Sequence, residues 1–159
     1  MQNAASWFGT MFHYGSWMME KLSDACIEHN LVHDARIVFL FQHTVNARRV
    51  WLERIRDGAV ITDINEPLTI DQALERNVVD SAAWVDVLLQ GGEAGVDATI
   101  TYANLSGIVF TQPLRDIVFH VINHTTHHMD EVSVLIRATG ATPPPTDYIV
   151  YTRSILATP

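Results

Sequence analysis

Four long segments of the chain carry apolar residues at the three- and four-residue spacing of an α-helix, and this periodicity limits the folds open to it. The segments run from about Phe8 to Asn30, from Asp34 to Asp57, from Thr69 to the run QGGEAG, and from about Gln112 to Thr139. We expect Asp34 to cap the second helix, TIDQ to form a capping box on the third, and Gly140 with TPPP to end the fourth. The pattern predicts an all-α, up-and-down four-helix bundle that forms a single domain over residues 1–159.

Between the third and fourth segments the periodicity changes. The stretch ATITYANLSGIVFT alternates apolar and polar residues on either side of NLSG, which predicts a short β-hairpin before the last long helix. Pro113 is expected in the first turn of that helix, where its missing N–H does no harm. The tail after Pro145 is too short to classify, although Tyr148, Val150 and Tyr151 are candidates for packing back onto the bundle.

The charge balance argues against a nucleic-acid partner. The formal net charge is −8, and a surface of that sign repels phosphate backbones. The densest basic group is interrupted by Trp51 and Glu53, and we interpret it as the solvent face of the second helix; it consists of Arg48, Arg49, Arg54 and Arg56.

The expected compartment is the cytoplasm. No apolar run is long enough to span a membrane, and MQNAASWFGT lacks the basic and apolar regions of a signal peptide. The single cysteine, Cys26, cannot form an intramolecular disulfide and fits a reducing environment as an inert core thiol.

Histidines cluster in the segment FHVINHTTHHMDE, which holds four of the eight histidines. Residues four apart share a helix face, so His120 with His124 and His124 with His128 both have the spacing of a metal-binding pair, while His127 lies off that face. The pairs interrupt an apolar stripe that we expect to face the bundle interior, where a polar side chain needs a partner. That stripe consists of Ile117, Val121, His124, His128, Glu131 and Leu135.

A metal needs a third ligand from another helix. His43 borders the inward face of the second helix and is the best candidate; His13, then His33 and His29, rank below it. Three histidines with one open position are typical of catalytic zinc. Spacing alone leaves an alternative open, in which the histidines hydrogen-bond to one another without a metal.

The same segments resemble a known family. HVINHTTHHMDEVSVLIRATGATPPPTDYIVY resembles the C-terminal half of the DinB-like (DinB/YfiT-like) proteins, and FQHTVNARRVWLERI resembles their second helix, with His43 eight residues before Trp51. ITYANLSG looks like the family's hairpin. The resemblance implies a four-helix bundle, often a homodimer, whose three histidines bind a divalent metal ion, zinc or nickel. Carried over by position, the ligands are His43, His124 and His128.

Relatives in that family include metal-dependent transferases that use low-molecular-weight thiols such as bacillithiol or mycothiol. The resemblance therefore implies a small-molecule substrate and an enzyme that activates a thiol or water, either a thiol S-transferase or a hydrolase. The alternative is a non-catalytic, metal-stabilised bundle that dimerises.

One position departs from the family pattern. The family commonly has Arg-Gly-Gln after the last ligand, whereas this chain has Met129-Asp130-Glu131. Glu131 lies one turn beyond His128 and is the candidate catalytic residue. Its carboxylate is expected to orient a ligand, to act as a general base, or to occupy the fourth metal position and close the site.

Overall fold

The computed structural model describes residues 3–156, apart from the side chain of Glu93. In this part of the chain, long helices surround a common core and a two-stranded sheet precedes the last long helix. The elements are α1 (Ala4–Glu28), α2 (Ala35–Arg56), α3 (Ile70–Val96), β1 (Thr99–Ala103), β2 (Val109–Pro113), α4 (Leu114–Ala138) and α5 (Tyr148–Leu156). The predicted all-α bundle with a short hairpin before the last long helix is confirmed. No helix within residues 3–156 is both long enough and apolar enough to cross a membrane.

Two of the predicted helix starts are formed by the expected caps. The carboxylate of Asp34 accepts hydrogen bonds from the backbone N–H groups of Arg36 and Ile37, both at 2.9 Å. Thr69 and Gln72 form a reciprocal capping box at the start of α3. Each cap satisfies N–H groups that the first helical turn leaves without partners, which fixes the start of the helix.

One predicted boundary is confirmed in part and another is wrong. QGGEAG does interrupt the third helix, because Gly92 has non-helical angles of φ 56° and ψ −159°, but a second helical segment follows this kink and extends α3 to Val96. Pro113 does not lie in the first turn of the fourth helix. It pairs with Thr99 at the end of β2 and has extended backbone angles, so α4 starts one residue later.

The direction of α3 departs from the predicted up-and-down arrangement, in which consecutive helices run in opposite directions. The loop between α2 and α3 runs back along α2, because the Glu53 carboxylate accepts hydrogen bonds from the N–H groups of Ile61 and Thr62, and Asn46 then donates to the carbonyl of Glu66. Hence α3 starts beside the N-terminal half of α2, and the two helices run in the same direction.

The buried apolar side chains form two clusters, one towards each end of the bundle. The first includes Met19, Leu40, Ala73, Met129 and Val132. The second includes Phe12, Leu52, Trp84, Leu88 and Val118. The tail packs back onto the first cluster, as expected for Tyr148 and Tyr151, and the hydroxyl of Tyr14 donates to the carbonyl of Thr146 at 2.7 Å.

Polar side chains occupy the space between the two clusters. We call them the polar layer; it consists of Ser16, Arg48, Asn77, Ser81 and Thr125, and it includes residues from all four long helices. Arg48 is only 2% exposed, so its predicted place on the solvent face of α2 is wrong. Its guanidinium donates to Asn77, Ser81 and Thr125, and the buried carboxylate of Asp80 also favours the charged form of Arg48.

Candidate metal centre

Three histidines from two helices converge at the interface of α2 and α4. Nitrogen atoms of His43, His124 and His128 all lie within 4.8 Å of one another, and each side chain is half-buried. The Nε2 atoms of His124 and His128 are 3.1 Å apart. Two nitrogens on one tetrahedral zinc ion are about 3.4 Å apart when each bond is about 2.1 Å, so this pair already has nearly the required spacing. The donor set and its geometry fit a divalent ion.

The site lies at the edge of the helix interface and is less buried than the sequence suggested. The inward face of α4 carries Thr125 and Met129, both fully buried, one residue beyond each histidine of the pair. Because each residue advances about 100° around a helix, that offset turns His124 and His128 away from the core. The two histidines therefore lie half-buried at the edge of the apolar seam, rather than inside it as expected.

The surroundings favour the uncharged form of His43 and His124. The pKa of His124 is lowered to about 3, mainly by burial and then by the positive charge that His128 and His43 carry when protonated. Burial also lowers the pKa of His43, with smaller contributions from His128 and Arg36, while Glu131 acts in the opposite direction. A neutral imidazole offers the lone pair that a metal requires, so these two ligands need lose no proton at neutral pH.

Glu131 lies behind His128, on the far side of the ring from His124. Its Oε1 atom is 3.0 Å from Nδ1 of His128, and its Oε2 atom accepts a hydrogen bond from Arg36 at 2.8 Å. Burial raises the pKa of Glu131, but the hydrogen bonds from Arg36 and His128 outweigh burial and the pKa is lowered. An ionised carboxylate at Nδ1 holds the proton of His128 there and leaves Nε2 free for a metal.

The other histidines are not brought into the three-histidine group. His120 is exposed, and its ring centroid lies 5.5 Å from that of Trp51. His127 lies 3.3 Å from Glu131 on the outer side, with 66% of its side chain exposed. The lower-ranked candidates are also exposed; they are His13, His29 and His33. Spacing alone allows two pairs, His120 with His124 and His124 with His128. The structure brings the second pair together with His43.

Two neighbours of the site were not predicted from the sequence. Phe39 stacks on the ring of His43 with centroids 5.5 Å apart, and Arg36 lies over Phe39 while it contacts Glu131. Both precede His43 on its own helix, at spacings of four and seven residues that place side chains on one face. That spacing was the available indication that they would flank the ligand.

Comparison with known proteins adds one finding. The model of the DinB family matches residues 19–157, a range that includes the three converging histidines and Glu131. No curated protein matches the chain.

Proposed function

The chain belongs to the DinB family, and we propose that His43, His124 and His128 hold one divalent metal ion that activates a thiol or a water molecule for reaction with a small-molecule substrate. The observation that carries the proposal is the convergence of three half-buried imidazoles, with donor atoms within 4.8 Å of one another. The family is generally metal-binding. Zinc or nickel as the ion, a low-molecular-weight thiol as the substrate and a homodimer as the assembly follow from the family resemblance.

The chemistry of the site divides between the ion and the chain. A divalent ion held by three histidines supplies Lewis acidity, which lowers the pKa of a thiol or water at its remaining position. The residues of the chain hold the ligands in place. Phe39 restricts the ring of His43 by stacking on it, and Glu131 keeps the proton of His128 on Nδ1.

The contacts of Glu131 favour one of its three predicted roles. Its two oxygens face His128 and Arg36. The carboxylate lies close to ring nitrogens of His127 and His128, and it is outside the cluster of three histidines. We therefore assign Glu131 the orientation of His128, in preference to the general base or the fourth ligand. Three histidine ligands without Glu131 would leave the fourth position of a tetrahedral ion to a substrate, and this supports the enzyme over the non-catalytic alternative.

Elemental analysis of protein purified without a nickel column tests the metal site. We expect about one metal per chain in the wild type, none in His43→Ala or His128→Ala, and full metal in His127→Ala, the matched control on the same helix. Glu131→Gln should keep the metal with an affinity about 10- to 100-fold lower, as for other residues that support a ligand. Metal-free wild type after reconstitution with zinc and nickel would refute the proposal.

Turnover needs a separate test on the metal-loaded protein. Glutathione, bacillithiol and mycothiol are offered against a panel of epoxides and alkyl halides, and we expect thiol consumption that stops when a chelator removes the metal. A protein that holds metal but is inert with every pair would favour the non-catalytic, metal-stabilised bundle. In that case metal removal would lower the melting temperature and change no reaction rate.

A further inference from the structure

The polar layer lies next to the metal site along both helices that supply ligands. Arg48 follows His43 by five residues on α2, and Thr125 is adjacent to His124 on α4. The Nη2 atom of Arg48 donates a hydrogen bond of 3.0 Å to the hydroxyl of Thr125. We therefore expect a change in the hydrogen bond between Arg48 and Thr125 to move α2 relative to α4, and with them the histidines that these helices carry.

Arg48 is held from the other helices as well. Its Nη1 atom donates to Asn77 and, at 2.9 Å, to Ser81 on α3, while its guanidinium lies 5.5 Å from the ring centroid of Phe12 on α1. The absence of a side chain at Gly15 on α1 leaves room for the guanidinium of Arg48. A Cβ atom at position 15 would lie only 3.3 Å from Nη2 of Arg48. The guanidinium therefore has one well-defined position, and so does the hydroxyl that it contacts on α4.

Hydrogen bonds between side chains join α2 to α4 at two places among the described residues. Arg36 and Glu131 form the first, with 56% and 33% of their side chains exposed. Arg48 and Thr125 form the second, and both are fully buried. An exposed ion pair contributes little in water, whereas a buried hydrogen bond from a charged donor is strong and has no solvent to replace it. The buried bond is thus the stronger directional constraint between the two helices.

We propose that the Arg48–Thr125 hydrogen bond positions the metal ligands, because it fixes the rotation of α4 so that His124 and His128 face His43. A ring nitrogen about 6 Å from the helix axis moves by about 1 Å when the helix turns by about 10°. Metal sites tolerate errors of only about 0.2 Å in ligand distance, so a small rotation misplaces both ligands of α4 together. This inference rests on the proposed metal site and assigns Arg48 and Thr125 as positioning residues.

The test compares two variants that each remove one acceptor from Arg48. Thr125→Val removes the acceptor on α4 with almost no change in shape, and Ser81→Ala removes one on α3, which carries no ligand. Each protein is stripped of metal and titrated with Co²⁺ in the presence of a competing chelator. The visible spectrum of the bound Co²⁺ reports the ligand geometry, and urea unfolding of the metal-free protein reports stability.

We expect both variants to lose stability, but only Thr125→Val to change metal binding. Its Co²⁺ affinity should fall by at least about tenfold with an altered spectrum, an effect of the size seen when residues behind metal ligands are changed. Ser81→Ala should stay within about twofold of the wild type, and Thr125→Ser, which restores the hydroxyl, should recover both affinity and spectrum. If the valine variant does not fold, Thr125→Ala takes its place.

Other outcomes separate this inference from the proposed function. A wild type that binds no Co²⁺ would refute the metal site and the inference together. A wild type that binds Co²⁺ normally, with Thr125→Val equal to it in affinity and spectrum, would refute the inference alone. Equal losses of affinity in Thr125→Val and Ser81→Ala would also refute it, because the polar layer would then act only through overall stability.

Discussion

Acid should destabilise the metal-free protein through His124. The pKa of His124 in the folded chain is lowered from 6.5 to about 3, first by burial and then by neighbouring histidines. The unfolded chain keeps the ordinary value. Between these two values the unfolded state therefore binds a proton at this position that the folded state does not. The free energy of unfolding must fall as the pH drops through this window.

The size of the effect follows from the same shift. Each pH unit inside the window removes about 1.4 kcal/mol, so His124 alone contributes a loss of about 2 kcal/mol between about pH 6.5 and pH 5. Burial lowers the pKa of His43 as well, and this shift acts in the same direction. Carboxylates whose pKa is lowered by partners lose their contribution mainly below about pH 4.5. Burial raises the pKa of Asp80 and Asp130, so the contribution of His124 is obtained as the difference between the wild type and a His124 variant.

Urea unfolding of chelator-treated protein at about pH 7 and about pH 5 measures this loss. The variant His124→Gln keeps a polar amide and cannot gain a proton, so its loss of stability between the two pH values should be about 2 kcal/mol smaller than that of the wild type. His127→Gln, at an exposed position, should behave as the wild type. An equal loss in the wild type and in His124→Gln would refute the reasoning, since it would mean that His124 gains its proton equally well in both states.

Three further predictions concern glycine packing, the cysteine and metal removal. Gly15→Ala should lower the free energy of urea unfolding by about 1–3 kcal/mol, because the new Cβ would lie 3.3 Å from Arg48. Gly9→Ala, whose Cβ would lie 3.7 Å from Val85, should instead add about 0.5–1 kcal/mol; equal effects would contradict the packing argument. Cys26 is buried and burial raises its pKa to about 11, so a thiol reagent should label it only after unfolding, and rapid labelling of the native protein would be contrary evidence. A chelator should lower the melting temperature of the metal-loaded wild type; an unchanged value would argue against metal bound to the folded state.

Local rules account for what the sequence predicted well. The caps at Asp34 and Thr69 depend on residues within one turn, and the spacing of His124 and His128 is a property of a single helix. The choice of that pair over His120 with His124 depends on where α2 lies. Periodicity does not contain this information, and the choice comes from the family resemblance; the structure places His43, His124 and His128 close together.

The missed features depend on contacts between distant parts of the chain. The loop that returns along α2 is held by Glu53 and Asn46, whose partners lie eight to twenty residues later. Arg48 was assigned to solvent because a lone charge favours water, and its partners Asn77 and Thr125 follow it by 29 and 77 residues. Small or polar residues do interrupt the inward faces of the four helices, and this pattern was the one available indication of a polar layer.

The candidate metal site and the polar layer both contain polar groups at least partly removed from water, and they differ in where those groups find partners. Polar groups buried between apolar side chains need partners, and both Nη atoms of Arg48 obtain them from within the chain. The three imidazoles have fewer partners. The Nε2 atoms of His124 and His128 lie 3.1 Å apart, and if Nδ1 of His128 keeps its proton for Glu131, its Nε2 lone pair is available to a proton on His124, to water or to a cation. An ion between the rings would satisfy all three nitrogens at once. The polar layer thus satisfies most of its hydrogen bonds from within the bundle, whereas the histidine group retains the nitrogen lone pairs that the proposed metal ion would use.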